Sequence, residues 1–326
     1  MRRHQANRRT LLQGAATLSA GLATVTAGAR PAAAQQQANS RSQGAGLPDP
    51  SSRQGEFAEV NGARIFHQST GQGEPMLLLH GYPLSGALFA RVRDGLATKH
   101  RVVTLDHRGY GRSEAPGTPD SIEVYSRDAL AVMQRLGIER AAIGGMSMGG
   151  PIALSMYQQA PERFSSMMLI DTIAAPANAA EAGLWRGVAE MVRQNGLEAI
   201  LPVLLKEMLT GETRASEPAQ VQYLQAVMKQ ASREAAIGGA TALAGRADFT
   251  SLLGQIRIPT LVYVGREDSV YPFEIARQMH EAIRGSKLEI IPGAAHAAIF
   301  EKPDPSVQAI LRWSESMQGA RPGPSR

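Results

Sequence analysis

The chain has 326 residues, 43% of them hydrophobic and 19% charged, which suits one large globular domain or one domain carrying an insertion. Its formal charge of +5 resides in the first 34 residues, where Arg2, Arg3, Arg8, Arg9 and Arg30 stand without an acid. The remainder is balanced, so the case for a nucleic-acid partner falls.

Cysteine is absent, which excludes disulfides, thiol nucleophiles and Cys-ligated metals together. The seven histidines show no His-Glu-x-x-His or similar ligand spacing, and no metal or cofactor is expected.

In chain order, residues 1–34 read as an export signal: a basic start, a weakly apolar stretch over 11–27, and Ala32-Ala33-Ala34, after which cleavage is expected. Arg8-Arg9 directly ahead of Thr10-Leu11-Leu12 resembles a twin-arginine signal, which is an address and not an anchor. The expected location is the periplasm or the exterior. Beyond residue 40 no run of eighteen apolar residues occurs, so no membrane anchor is expected. Residues 35–55, rich in Gln, Ser, Gly and Pro, read as a flexible linker, and residues 316–326 as a disordered tail.

The folded part then opens with a β-hairpin: residues 57–60 and 63–67 flank Asn61-Gly62, a pair that accepts the positive φ angles of a tight turn. Short apolar runs without clean alternation follow at 76–79, 102–105, 141–144, 167–170, 261–264 and 288–291, as strands buried on both faces show. Helical patterns at 89–97, 124–136, 150–160 and 273–283 lie between them. This alternation predicts an α/β fold with a mostly parallel sheet covered by helices. From 173 to 248 there is no strand pattern, but helical stretches occur at 181–194, 197–209 and 221–236. So long a segment reads as an inserted helical cap, leaving 56–172 and 249–315 as the core.

The chemistry sits at the ends of the predicted strands. Gly145-Met146-Ser147-Met148-Gly149 places a serine between a strand and a helix. In such a nucleophile elbow only small residues two places before and after the serine let the backbones pass, and the helix amides point at developing negative charge. After an earlier strand comes His80-Gly81-Tyr82-Pro83, where the residue following His-Gly can offer its N–H to an oxyanion beside that of the residue after the nucleophile. These are Tyr82 and Met148. Serine needs a base, and the base needs an orienter. Asp268 in Gly265-Arg266-Glu267-Asp268 and His296 in Gly293-Ala294-Ala295-His296 follow in the expected order. Glu267 and Asp171 are competitors for the acid, and His280, the other histidine after the serine, falls within a helical pattern.

Together with the run from Leu105 to Ser113, these pieces resemble the α/β-hydrolase superfamily over roughly residues 57–313. Within it they are similar to serine esterases, 3-oxoadipate-type enol-lactonases and cofactor-free haloperoxidases. Relatives that use an aspartate nucleophile, the haloalkane dehalogenases and epoxide hydrolases, are set aside by Ser147. The resemblance implies a small-molecule ester substrate; perhydrolysis or C–C bond hydrolysis by the same triad is the alternative. A non-catalytic binding protein is a remote alternative, since it normally lacks a triad member. Asp106 and Arg108 read as shaping their loop, and His80 as orienting its own. Cap residues such as Leu184, Trp185, Met191, Leu204, Met208 and Tyr223 are candidates to line a substrate pocket, with Trp185 and Met208 foremost.

Overall fold

The computed structural model describes Leu47 and residues 49–318. The residues read as an export signal lie outside the described residues.

Eight strands form one sheet: β1 (Glu56–Val60), β2 (Ala63–Thr70), β3 (Glu74–Leu79), β4 (His100–Leu105), β5 (Ala141–Met146), β6 (Phe164–Ile170), β7 (Thr260–Gly265) and β8 (Lys287–Ile291), in the order β1-β2-β4-β3-β5-β6-β7-β8. β1 pairs antiparallel with β2 through the hairpin at Asn61-Gly62, both at positive φ, and β2 antiparallel with β4. Every other neighbour is parallel. All residues of β5 and β7 are buried, which requires cover on both faces.

Helices α1 (Ala90–Leu96), α2 (Ile122–Arg135) and α3 (Gly149–Gln159) precede the cap. Between β6 and β7 come α4 (Ala179–Asn195), α5 (Leu201–Met208), α6 (Gly211–Ser216), α7 (Pro218–Met228), α8 (Arg233–Ala244) and the short α9 (Thr250–Leu253). After β7, α10 (Phe273–Ala282) leads to β8, and α11 (Ala298–Glu301) and α12 (Pro303–Gln318) complete the described chain. α1 packs with α12, α2 with α3, and α4 with α8. Among the described residues no helix is long and apolar enough to cross a membrane.

Two helical stretches expected as single pieces are divided. Ser232 splits the stretch over 221–236, because its side chain accepts the Ala235 N–H as the N-cap of α8 while its own N–H donates to the Gly109 carbonyl. In the stretch over 197–209, a single 3-10 turn precedes α5, which starts at Leu201-Pro202, a favoured place for proline. α12 also runs to Gln318, past the expected start of the tail at 316.

Of the linker expected over 35–55, residues 35–46 and 48 lie outside the described residues, and 49–53 are folded. Pro50–Ser52 form a 3-10 turn capped by Asp49, and Arg53 is buried with its Nη2 2.6 Å from Asp106 Oδ2. Composition pointed to solvent here; a long-range ion pair overrides it. Asp106, fully buried, also accepts the N–H groups of Gly86 and Arg112 at 2.8 Å, so it orders the segment after the Tyr82-Pro83 loop. Removing one partner of a buried pair leaves an uncompensated charge, at a cost of about 3–5 kcal/mol. Arg53→Met is therefore expected to lower the denaturant midpoint sharply, and a midpoint equal to wild type would show that residues 49–53 lie outside the cooperative fold.

Candidate active site

Parallel register brings the carboxyl ends of five strands side by side. Leu79 of β3 stands opposite Gly145 of β5, Met146 opposite Ile170 of β6, Ile170 opposite Tyr263 of β7, and Gly265 opposite Ile291 of β8. The segments that leave these ends carry His80, Ser147, Asp171, Asp268 and His296, as open α/β sheets place their sites.

Ser147 has φ of +54°, a left-handed conformation that a non-glycine residue holds only where its surroundings enforce it. Its N–H donates to the Ile170 carbonyl at 3.0 Å, and its own carbonyl accepts the Gly150 N–H at 2.9 Å and the Thr172 hydroxyl at 2.6 Å. A Cβ on Gly145 would collide with the Gly149 carbonyl, and one on Gly149 with the Leu79 carbonyl. The elbow therefore depends on glycine at both positions.

The Ser147 Oγ lies 2.9 Å from His296 Nε2, and His296 Nδ1 lies 2.9 Å from Asp268 Oδ2. Asp268 Oδ1 accepts the N–H groups of Val270 and Tyr271 at 2.8 and 3.0 Å. With a carboxylate oxygen facing Nδ1, that nitrogen carries the proton, and the Nε2 lone pair faces the serine hydroxyl. Serine, histidine and aspartate are 8%, 1% and 4% exposed, so their interactions are little screened. Tyr271 sets its ring edge-on to the imidazole, with centroids 5.6 Å apart.

Neither the Tyr82 nor the Met148 main-chain N–H donates to another group among the described residues. Met148 stands at the N-terminus of α3, where the helix dipole favours negative charge. The loop bearing Tyr82 is held by His80. The His80 Nε2 accepts the His107 N–H at 2.9 Å, so Nδ1 carries the proton and donates to the Gly81 carbonyl at 2.8 Å. Burial, the largest cause, pushes the His80 pKa down to about 3, and the ring stays neutral as this bonding requires. It orients its loop.

His296 Nδ1 bonds to neither competing acid, and Asp171 Oδ2 is buried without a hydrogen-bond partner among the described residues. Glu267 Oε2 accepts the Ala294 N–H at 3.0 Å, and Asp171 Oδ1 accepts the Gly265 N–H at 2.7 Å. Asp171 is fully buried; burial first, and then the nearby Asp268, push its carboxyl well above the ordinary carboxylate range. His280, within α10, bonds to Ser286 beyond the end of that helix. Arg108 grips Asp128 with two nitrogens, a structural contact.

Of the cap candidates, Trp185 sets its ring edge-on to Tyr82 at 5.4 Å, and Met208 is buried with its carbonyl accepting the Ala297 N–H. Leu184 and Met191 instead point to solvent, at 68% and 46% exposure; the apolar stripe of α4 is wider than the face it buries. A polar network at the base of the cap escaped sequence reasoning. Arg246 clasps both carboxylate oxygens of Glu181 at 2.6 Å, and Glu181 also accepts from the Tyr271 hydroxyl. No local spacing links 181, 246 and 271, although Tyr271 sits three residues after the assigned acid.

A family model described as the alpha/beta hydrolase fold matches residues 74–303, and the chain belongs to that family. It is 31% identical to the 3-oxoadipate enol-lactonase 2 of Acinetobacter baylyi, over 66% of this chain and 79% of that protein. It is 27% identical to the pimeloyl-[acyl-carrier protein] methyl ester esterase of Aliivibrio salmonicida, over 76% of this chain and 95% of that one. Among solved structures, a thermophilic esterase from Thermogutta terrifontis superposes with a TM-score of 0.77 at 29% identity, covering 81% of this chain and 99% of that one.

Asp171→Asn keeps the acceptor at Oδ1 and removes an ionisable group that the fold favours in its protonated form. Because the folded pKa lies above the unfolded value, wild-type protein loses stability as pH rises from about 4 toward that raised value. The variant lacks this loss. Denaturant titrations at two pH values across that interval are expected to show the stability difference moving in the variant's favour at the higher pH, whereas a pH-independent difference contradicts a protonated Asp171.

Proposed function

We propose that the protein is an exported serine hydrolase that cleaves a carboxylic ester or lactone through an acyl-enzyme on Ser147. The observation that carries this is the unbroken hydrogen-bonded chain Asp268–His296–Ser147 beside two main-chain N–H groups that have no acceptor of their own among the described residues.

In this reading His296 Nε2 takes the Ser147 proton as Oγ attacks the ester carbonyl carbon. The negative charge that develops on the carbonyl oxygen is met by the Tyr82 and Met148 amides. As the tetrahedral intermediate collapses, His296 returns the proton to the leaving alkoxide and the alcohol departs. Water then enters, His296 removes its proton, and a second tetrahedral intermediate releases the acid and restores the serine hydroxyl. Asp268 keeps the imidazole oriented and stabilises its cationic form throughout.

Relatives named as an enol-lactonase and esterases support ester or lactone substrates, while a relative named as a putative non-heme chloroperoxidase, 27% identical, keeps perhydrolysis by the same triad as the alternative. In this reading Trp185, whose ring meets Tyr82 edge-on, and Met208, whose carbonyl accepts the Ala297 N–H, select the substrate. Export rests on the leader: its basic start, the Arg8-Arg9 pair and the Ala32-Ala33-Ala34 run.

Ser147→Ala is expected to fold as wild type and to lose p-nitrophenyl ester hydrolysis by a factor on the order of 10⁴ or more, with Asp268→Asn close behind. A wild-type rate in the serine variant sinks the reading. In a bacterium that possesses twin-arginine export, replacing Arg8 and Arg9 by lysine in the full chain is expected to leave the product in the cytoplasm. An undiminished exported fraction would remove the twin-arginine assignment.

A further inference from the structure

The cap meets the core where His296 sits. The carbonyls of Glu207 and Met208, at the carboxyl end of α5, accept the N–H groups of His296 and Ala297 at 3.4 and 2.9 Å. Carbonyls at a helix end lack partners within the helix, so the histidine segment supplies donors that the cap helix needs. The preceding N–H, that of Ala295, donates at 2.7 Å to Oε2 of Glu301. Glu301 ends α11 and is only 3% exposed. Its other oxygen, Oε1, accepts both the N–H and the hydroxyl of Thr210, at 2.8 and 2.6 Å. Thr210 lies between α5 and α6 and caps α6.

Three successive main-chain donors, 295 to 297, are thus held by the cap directly or through one carboxyl that grips the cap. A buried carboxyl is tolerated only when its oxygens are satisfied, and here both oxygens are engaged by neutral donors on two different parts of the fold. Beside it, Phe300 stacks on Tyr223 of α7, with centroids 5.7 Å apart.

We propose that Glu301 is a positioning residue for His296, making the placement of the imidazole depend on cap docking through Thr210. The inference rests on the reading of His296 as the general base. Asp268 fixes one edge of the ring; the main chain from Ala295 to Ala297 fixes the other coordinate, the reach of Nε2 toward Ser147. A displacement of about 1 Å in a reacting group can cost on the order of 100-fold in rate.

The test measures the rate at which a fluorophosphonate labels Ser147 across pH, with circular dichroism and thermal unfolding as folding controls, in wild type, Glu301→Gln, Glu301→Ala, Thr210→Val and Thr210→Ser. Glutamine turns one acceptor into a donor that must face another donor, so labelling is expected to slow about tenfold or more with an altered pH profile. Thr210→Val is expected to show a smaller loss of the same kind, and Thr210→Ser, which keeps the hydroxyl, to match wild type. Folded Glu301→Gln and Thr210→Val proteins that label at the wild-type rate with the wild-type pH profile overturn the inference. Should the Glu301 variants fail to fold, equal labelling of Thr210→Val and Thr210→Ser overturns it, and a loss confined to valine supports it. Absence of labelling in wild type overturns the reading of Ser147 as nucleophile, and this inference with it.

Discussion

Between β5 and α3 the main chain passes closer to itself and to β3 than any side chain permits. Gly145 and Gly149 leave no room for a Cβ against the Gly149 and Leu79 carbonyls, and the residue between them on the turn takes a left-handed φ. A serine in that conformation would relax if it were free. It is held because its N–H and carbonyl are both tied, to Ile170, Gly150 and Thr172, and because β5 is buried along its whole length. The Ser147 hydroxyl stands at the tip of this turn, 2.9 Å from His296 Nε2.

Parallel pairing turns that local constraint into a site. Strands in parallel register deliver their carboxyl ends to one edge of the sheet, so three residues distant in sequence leave β5, β7 and β8 as neighbours. The same edge receives the amino end of α3 and the loop after β3, which bring the Met148 and Tyr82 amides. Low exposure at Ser147, Asp268 and His296 strengthens the hydrogen bonds among them by excluding competing water. It also separates the roles of the two aspartates. Asp268 is met by two amide donors and an imidazole, whereas Asp171, buried beside it, is pushed toward its protonated form.

The cap is fastened at several places that lie close to the chemistry. α5 ends on the His296 segment, Glu301 joins that segment to Thr210, and Arg246 and Glu181 secure the base of the cap beside Tyr271. Arg53 reaches Asp106, which holds the segment following the Tyr82 loop. Both the His296 segment and the loop bearing Tyr82 are therefore supported by groups that belong to other parts of the chain.

By itself the sequence determined the strands, the hairpin, the elbow and the order of serine, acid and histidine. These are local properties: apolar runs of strand length, Asn61-Gly62 at a turn, and glycines spaced two residues from Ser147. Asp268 could be preferred to Glu267 and Asp171 from order and position, but only the folded chain showed that the other two carboxyls bind the Ala294 and Gly265 amides. Tertiary structure alone decided that residues 49–53 are folded, that Leu184 and Met191 face water, and that Glu301, Thr210, Arg246 and Glu181 are joined. The reason is physical. Periodicity and turn chemistry act over a few residues, whereas the pairing of a buried charge is settled by whichever distant donor the packed fold carries to it.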